Sequence, residues 1–486
     1  MNLFRKYFLI AVAGLFSSVM MAVEPNTMYF MNYLPYKTYM NPAMQPICAT
    51  YVELPGISTI SASFGNNSLS MNDVIYLNKD KQMVTALHPE FGNRDLLYAK
   101  LKRAERVYAE TGVTIIGFGS RISDFGFFSF NMSVRADASI AIPRDFVKFA
   151  LYGTPDTLNT NRYNLKNLSV NANAYIDING GYSHKINDKW KVGGRVHVLV
   201  GAANAKLNFS SLDLYASEDE WRIAGQGKAR LSVPSLAIRT TEDGNIDSLY
   251  MSTTDVSDIL RNYEPSVGAA FDLGFEYKPV ESLSLSFAIR DLGFIAWRNA
   301  HMATGNIDYP FSGLEYHYGQ DNFQEYGDSI AEVFKKSYTV EGSNPETDRL
   351  YDKSVYFTMM TAKMYAAAEY SFLRNMMSLG LISKTELSGG RLYEELTAAY
   401  NLRPCRWFGM SASYSFFSGG FSSMGLGLNL RLTPFSLYLV GDYMPLCYNE
   451  QGIPYKARAF NIQTGIVMTI GCKNKAQEQF YQPTVF

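Results

Sequence analysis

In residues 128–142, FSFNMSVRADASIAI, apolar and polar side chains alternate almost without a break. Phe128, Phe130, Met132, Val134, Ala136, Ala138, Ile140 and Ile142 hold the even positions; Ser129, Asn131, Ser133, Arg135, Asp137 and Ser139 hold odd ones. A period of two marks a strand whose two faces meet different surroundings, because successive side chains point to opposite sides. The pattern recurs in 168–179, 191–200, 271–278 and 283–290, and again in 364–372, 408–416, 424–432 and 460–470. Turn-forming residues separate most of these runs, at 187–188, 373–375, 388–390, 418–420 and 433–434, so neighbours read as hairpins.

Counting such runs along the chain gives about 14–16 strands. Many reach about 10 residues, longer than the usual 5–6. Alternating strands of about 9–11 residues joined by short turns are the signature of a transmembrane barrel. A soluble sandwich or propeller, the alternative, calls for shorter strands. The expected fold is therefore an all-β, transmembrane antiparallel β-barrel, with the even face of 128–142 toward lipid and the odd face toward the lumen. Arg135 on the lipid side would cost about 2–4 kcal/mol at mid-depth.

One segment resists this scheme. The turns at 187–188 and 278–282 cannot both lie on the short-turn rim if 220–234 is a membrane strand. Either that segment stays outside the membrane or some tight turns face the other way. The longer polar stretches 72–108, 143–153 and 321–337 have partly helical patterns, and 236–265 and 338–356 read as loops.

The chain's start reads as a secretory signal peptide. Residues 1–22 carry Arg5 and Lys6, an apolar run over 7–21, and Ala22 at a cleavage position. Export through a cleaved signal to the cell outer membrane is the expected localisation. Removing two cations takes the formal charge of the 486-residue chain from −1 to −3, which is no footprint for nucleic acid. With a mean hydropathy of −0.11, no multi-helix membrane bundle is hidden in the chain.

The segment YMNPAMQP at 39–46, followed by ELPGISTISASFGNNSLSMND at 53–73, resembles a domain-of-unknown-function family of outer-membrane barrels of Gram-negative bacteria. The stretch SLSFAIRDLGFIAW at 284–297 resembles the same family. Asn41-Pro42-Ala43 also looks like the start of type IX secretion-associated barrels, and the architecture is similar to that of long-chain fatty-acid outer-membrane transporters. The resemblance implies 14 strands, with residues 23–49 as a plug or hatch, 50–472 as the barrel and 473–486 as a tail. It also implies either of two functions: passage of a small apolar or amphipathic molecule, or a structural or secretion-associated scaffold that presents loops to an outer-membrane protein partner. Read by themselves, Asn41 and Pro42 are better taken as a bend that delivers the chain to the first strand.

Motifs for chemistry are missing. The sequence contains no HExxH, Cys-x-x-Cys, G-x-S-x-G or phosphate loop, so no enzyme, metal or cofactor is expected. His184 and His197 fall too far apart in register to share a site. The charged residues on polar strand faces are expected to line the lumen: Arg135, Asp137, Asp177, Lys191, Arg195, Asp272, Glu276, Arg290, Lys363, Glu369 and Arg431. Asp291 and Gly293 suggest a kink within a strand, or its end beyond the membrane. Phe271, Tyr277, Trp297, Phe372, Phe408 and Tyr443 fit interface girdles. In a closed barrel the first and last strands are neighbours, so Cys48 and Cys472 can bridge at one rim; two unpaired thiols are the alternative. Cys405 and Cys447 are expected at opposite rims.

Overall fold

The computed structural model describes residues 25–472 apart from 33, 57, 79–81, 87, 89, 154–160, 218–219, 242–243, 252–263, 312–336, 341–353, 389–390, 406, 418–421, 445–446, 449–453 and 456–457. The signal segment, the helical pattern at 321–336 and the tail from 473 lie outside the described residues.

Nineteen strands form one antiparallel sheet that closes on itself. Collinear pieces share a place in the ring, so the nineteen fill fourteen positions. We number these positions in chain order. β1 comprises Thr50–Glu53 and Ile60–Asn66; β2 is Ala104–Arg121 and β3 Gly126–Pro143. β4 is Ser169–Lys185, preceded by Asn161–Asn164; β5 is Trp190–Ala216; and β6 joins Trp221–Ser232 to Ser266–Val280. β7 is Leu283–Phe311, while β8 comprises Ser354–Met359 and Ala362–Phe372, with Tyr338–Val340 in line. β9 to β14 are Met377–Ser388, Arg391–Leu402, Phe408–Phe417, Ser422–Leu432, Phe435–Met444 and Ala459–Ile470. Closure is direct: Thr50 pairs with Ile470 and Phe64 with Phe460.

The ring explains the alternation. Along β3, Phe128, Val134 and Ile140 are exposed on the outer face, whereas Ser129, Asn131 and Ser133 are buried on the inner one. The outer face elsewhere carries Val196, Val198, Phe271, Leu273, Phe275, Leu379, Leu381, Leu426 and Leu428, all exposed. An apolar exterior over a polar interior is the reverse of a soluble sandwich. Among the described residues, no helix is long and apolar enough to cross a membrane.

The sixth position resolves the conflict over 220–234. Ser266–Val280 pairs with the first half of β5, from Trp190 to Gly201, and Trp221–Ser232 pairs with the second half, from Asn204 to Ala216. The two pieces run in the same direction and stack end to end. Trp221–Ser232 is thus an upward extension, and both tight turns lie on the rim shared with Cys48 and Cys472, here called the terminal rim. At the 27 residues of β5, a strand is roughly 90 Å long, far more than one bilayer crossing needs. The surplus of β5, β6 and β7 rises past the opposite, distal rim around its own core of Phe209, Leu212, Leu214, Ile307, Tyr338 and Val340.

Several loop expectations change. Within 236–265, Leu236–Thr240 and Ile246–Met251 form a hairpin; within 338–356, the described ends belong to the sheet. Residues 104–108 are the start of β2 rather than helix, because Val107 and Tyr108 pair with Ile140 and Ser139. Arg144–Tyr152 is helical as expected. Trp297 and Tyr443 depart from the girdle assignment. Both are buried and point inward, where Trp297 Nε1 donates to Thr358 Oγ1 at 2.7 Å and Tyr443 OH to Glu395 Oε2 at 2.9 Å.

In the distal excursion after β1, burial raises the pKa of Asp73, but hydrogen bonds from Lys100 and Ser70 outweigh it and hold the carboxyl below its usual range. A depressed carboxylate stabilises above its unfolded pKa, and that contribution disappears as pH falls through the folded value. Proteolysis within 71–100 should accordingly quicken on acidification below the normal Asp range. Lys100→Met should weaken that pH dependence, since of the groups that depress the carboxyl only the Ser70 bonds remain.

Cys48 and Cys472 form a disulfide across the junction of β1 and β14, with Cα atoms 3.9 Å apart. Cys48→Ser should abolish the mobility difference between reduced and non-reduced protein on a denaturing gel; a difference that survives would place the bridge elsewhere. Cys405 lies at the terminal rim between β10 and β11, and the Cys447–Tyr448 strand lies on the distal side.

Candidate functional site

The lumen is occupied by the chain's own beginning. Residues 25–46 are almost wholly buried and touch the wall on many sides. They start as a single 3-10 turn, Asn26–Phe30, and continue through a short helix, Lys37–Met40, into the Asn41-Pro42-Ala43 turn. Met28, Tyr29, Phe30, Leu34, Tyr36, Tyr39 and Met40 pack with Tyr51, Phe127, Tyr365, Tyr438 and Val440 of the inner wall. This apolar cluster inside a polar ring sits toward the terminal rim.

Polar contacts fix the segment at intervals. At its start, Thr27 N donates to Asp442 Oδ2 at 3.2 Å, and Asn26 Nδ2 to Thr397 Oγ1 at 3.1 Å. Arg403 Nη2 then reaches the Phe30 carbonyl at 2.9 Å and Glu369 Oε1 at 2.8 Å, while Asn32 Nδ2 donates to the same carboxylate. At the far end, Ser183 Oγ donates to the Ala43 carbonyl, and Gln45 Nε2 to the carbonyl of Phe125.

Asn41 makes the densest set. Its Nδ2 reaches Tyr29 OH and the carbonyls of Phe275 and Phe287, at 3.2–3.3 Å, and its Oδ1 accepts from Ala43 N at 3.0 Å. The wall is flat where the turn lies. Gly193 and Gly274 are register partners; a Cβ on Gly193 would strike the Pro42 carbonyl, and one on Gly274 would strike Asn41 Oδ1. Gly193→Val should therefore push the turn off the wall and expose residues 25–46 to protease while the ring still forms. Unchanged resistance would count against this docking.

Above the helix lies a compact charge cluster. Arg195 Nη2 and Nη1 donate to the carbonyls of Thr38 and Tyr39, at 2.7 and 3.3 Å, and its guanidinium stacks on the Tyr39 ring at 4.8 Å. Those carbonyls belong to the end of the helix, where no intrahelical donor remains. Arg195 also faces Asp272 at 3.5 Å. His197 lies between two carboxylates, with Nδ1 2.8 Å from Asp177 and Nε2 3.1 Å from Asp272. Arg135 reaches Asp177 and Asp291, and Arg290 reaches Asp272 and Asp291, at 3.3–3.8 Å.

Oxygen and nitrogen atoms of His197, Asp272 and Asp291 converge closely enough to hold a metal ion. The surroundings do not fit a cation. Three guanidinium groups already balance the three aspartates, and a divalent ion would enter against them. Asp291 stands in a left-handed conformation, φ 54°, where the β6–β7 register slips between Phe271 and Leu273. Asp272 Oδ1 accepts from its backbone N–H at 2.8 Å. A Cβ on Gly293 would meet the Ala269 carbonyl.

The remaining charged positions are scattered along the inner wall. Glu276 pairs with Lys191 at 2.6 Å, Asp137 accepts from Asn173, and Arg431 lies inward near the terminal rim. Sequence reasoning singled out the arginines and aspartates and set His197 rightly apart from His184, but it missed the pairing of His197 with Asp177 and Asp272, for which its inward place beside Arg195 was the available signal. The contact of Thr27 with Asp442 had none, since 415 residues separate them.

A cavity remains between the segment and β1–β3. Met28, Tyr36, Tyr39 and Met40 line one side; Ser61, Thr111, Asn131, Ser133, Glu110 and Arg135 line the other.

A closed antiparallel barrel of fourteen positions, its lumen occupied toward the terminal rim by its own N-terminal segment, is the class of protein these features define. The chain belongs to the DUF5723 family, described as a family of unknown function, whose profile matches residues 42–442. No curated protein matches it. Among solved structures it is similar to a Pseudomonas aeruginosa FadL homologue, with 13% identity, a TM-score of 0.43, and coverage of 93% of this chain and 100% of that one. It is also similar to the Ralstonia pickettii toluene transporter TbuX, with 8% identity, a TM-score of 0.42, and coverage of 90% and 94%. For the P. putida toluene transporter TodX the figures are 10%, 0.38, 88% and 91%. At these identities, nothing of those proteins' cargo carries over.

Proposed function

We propose that the chain is exported, cut near Ala22 and inserted in the outer membrane, with its terminal rim toward the periplasm. There it passes a small apolar or amphipathic molecule under control of residues 25–46. The apolar outer face supports the location, and the run of short turns on the terminal rim supports the orientation.

The observation that carries the transport reading is the cavity's two-sided lining. Methionine and tyrosine side chains from the segment face hydroxyls, an amide and two charges from the wall. Such a space suits a molecule with an apolar body and a polar end. The segment blocks the way onward, so passage requires it to move, and its ties to the wall set how readily it does.

Native mass spectrometry of protein released gently from its own membrane, followed by lipid extraction, tests this. One apolar molecule retained at fixed stoichiometry, and lost on Met40→Arg, is the expected result. A ligand-free barrel carrying a stoichiometric protein partner would replace transport by the scaffold reading. The tall distal extension of β5, β6 and β7, with its separate core, is the feature that reading would use.

A further inference from the structure

We infer that the terminal rim is a binding surface for anionic phospholipid headgroups, each turn setting an apolar side chain into the leaflet and most of them a cation among its phosphates. The inference rests on the membrane insertion proposed above and adds the class of lipid that the rim selects.

Six turns make this rim, at 121–125, 185–190, 278–283, 373–376, 403–407 and 431–435. Each presents a large apolar side chain: Ile122, Ile186, Val280, Leu373, Trp407 and Leu432 are all at least 55% exposed. Turns that face water favour Gly, Pro, Asn, Asp and Ser instead. Just inside them, on the outer face, Trp190 stacks on Tyr277 at 4.3 Å and Tyr370 on Phe372 at 6.4 Å. Aromatic rings in such a belt mark a membrane–water interface, which puts the turns at headgroup depth.

Cations accompany the apolar tips. Arg121, Lys185, Lys278, Arg374 and Arg431 each stand within two residues of one. Together the six turns hold eight Lys and Arg against three Asp and Glu, in a chain whose formal charge is −1. Local acids take up part of the excess: Lys185 meets Asp188 at 2.6 Å, and Lys278 shares Glu276 with Lys191. The rim as a whole stays cationic, and the long stems carry the charge past an immersed apolar neighbour. These pairs recur around the ring. A surrounding leaflet fits that distribution, whereas a protein partner would call for it on one sector.

The turn at 373–376 adds an independent sign. Leu373, Arg374 and Asn375 have φ of 49°, 55° and 62°. That left-handed region suits Gly and Asn and is costly for Leu and Arg. Leu373 is exposed, so packing within the barrel does not offset the strain. Side chains held at a tip against the backbone's preference point to a partner outside the protein.

The test is urea unfolding of the mature chain refolded into phosphatidylcholine vesicles, with and without phosphatidylglycerol as a minor component. Failure to insert into either would overturn the membrane reading and this surface with it; insertion into both with one common midpoint would overturn the surface alone. A higher midpoint with phosphatidylglycerol, lowered again by salt, is the expected result. Replacing Lys185, Lys189 and Arg374 together by Ser should remove most of that gain, at about fivefold in the unfolding equilibrium per cation. An undiminished gain would refute the inference.

Should that variant not fold, Leu373→Asn, Arg374→Gly relieves the backbone instead. In nonionic detergent it should unfold at the wild-type urea concentration or above, yet gain less from phosphatidylglycerol in vesicles. An equal gain would again overturn the surface.

Discussion

Val134→Arg should destabilise the barrel by about 2–4 kcal/mol in a bilayer. Val134 lies midway along β3 on the outer face and is 41% exposed. If lipid covers that face, a guanidinium there has neither water nor a partner, and the outward bulge it needs to reach the interface strains its neighbours. Urea titration of protein refolded into vesicles, read by protease resistance, measures the loss. An unchanged midpoint would remove lipid from this face and, with it, the membrane reading. The neighbouring Ser133→Ala, on the inner face, should shift the midpoint by far less.

Arg195→Met should cost about 3–5 kcal/mol, the usual penalty for removing one partner from a buried ion pair. Three groups lose a donor together: Asp272 and the carbonyls of Thr38 and Tyr39. Methionine retains much of the stem, so the packing against Tyr39 is only partly lost. Because the carbonyls belong to the lumenal segment, the effect should be local before it is global. Trypsin, which cuts after Lys37, should cleave the variant at urea concentrations where the ring still resists digestion. Simultaneous loss of segment and ring would make Arg195 a general structural residue rather than a tie on the segment.

The parts of this molecule that the sequence disclosed were those governed by the two-residue period. Outward-facing Phe128, Val134 and Ile140 and inward Asp177, Arg195 and Arg290 follow from parity alone, once long strands are granted. Parity fails where the backbone departs from a uniform strand. At Asp291 the register slips, and beyond it Trp297 turns inward in the middle of β7, away from the strand ends where a girdle would lie. Parity is equally silent about strands that stack end to end, which is why Trp221–Ser232 resisted placement. Contacts across the lumen were beyond reach for a different reason: Thr27 with Asp442 and Asn41 with the Phe275 and Phe287 carbonyls depend on closure of the ring, and no local pattern encodes them.

Those same long reaches set an order of events in folding. Asn26 and Thr27 leave the ribosome early, yet their partners Thr397, Ser413 and Asp442 lie more than 370 residues later. Loop closure of that span is unfavourable until most of the sheet exists to reward it, and contacts so distant in sequence slow the search for the native state. A nascent chain must therefore keep its apolar leading segment, with Met28, Tyr29 and Phe30, soluble and unattached until nearly the whole sheet has formed. Asn26 and Thr27, made early, are among the last residues to find their places.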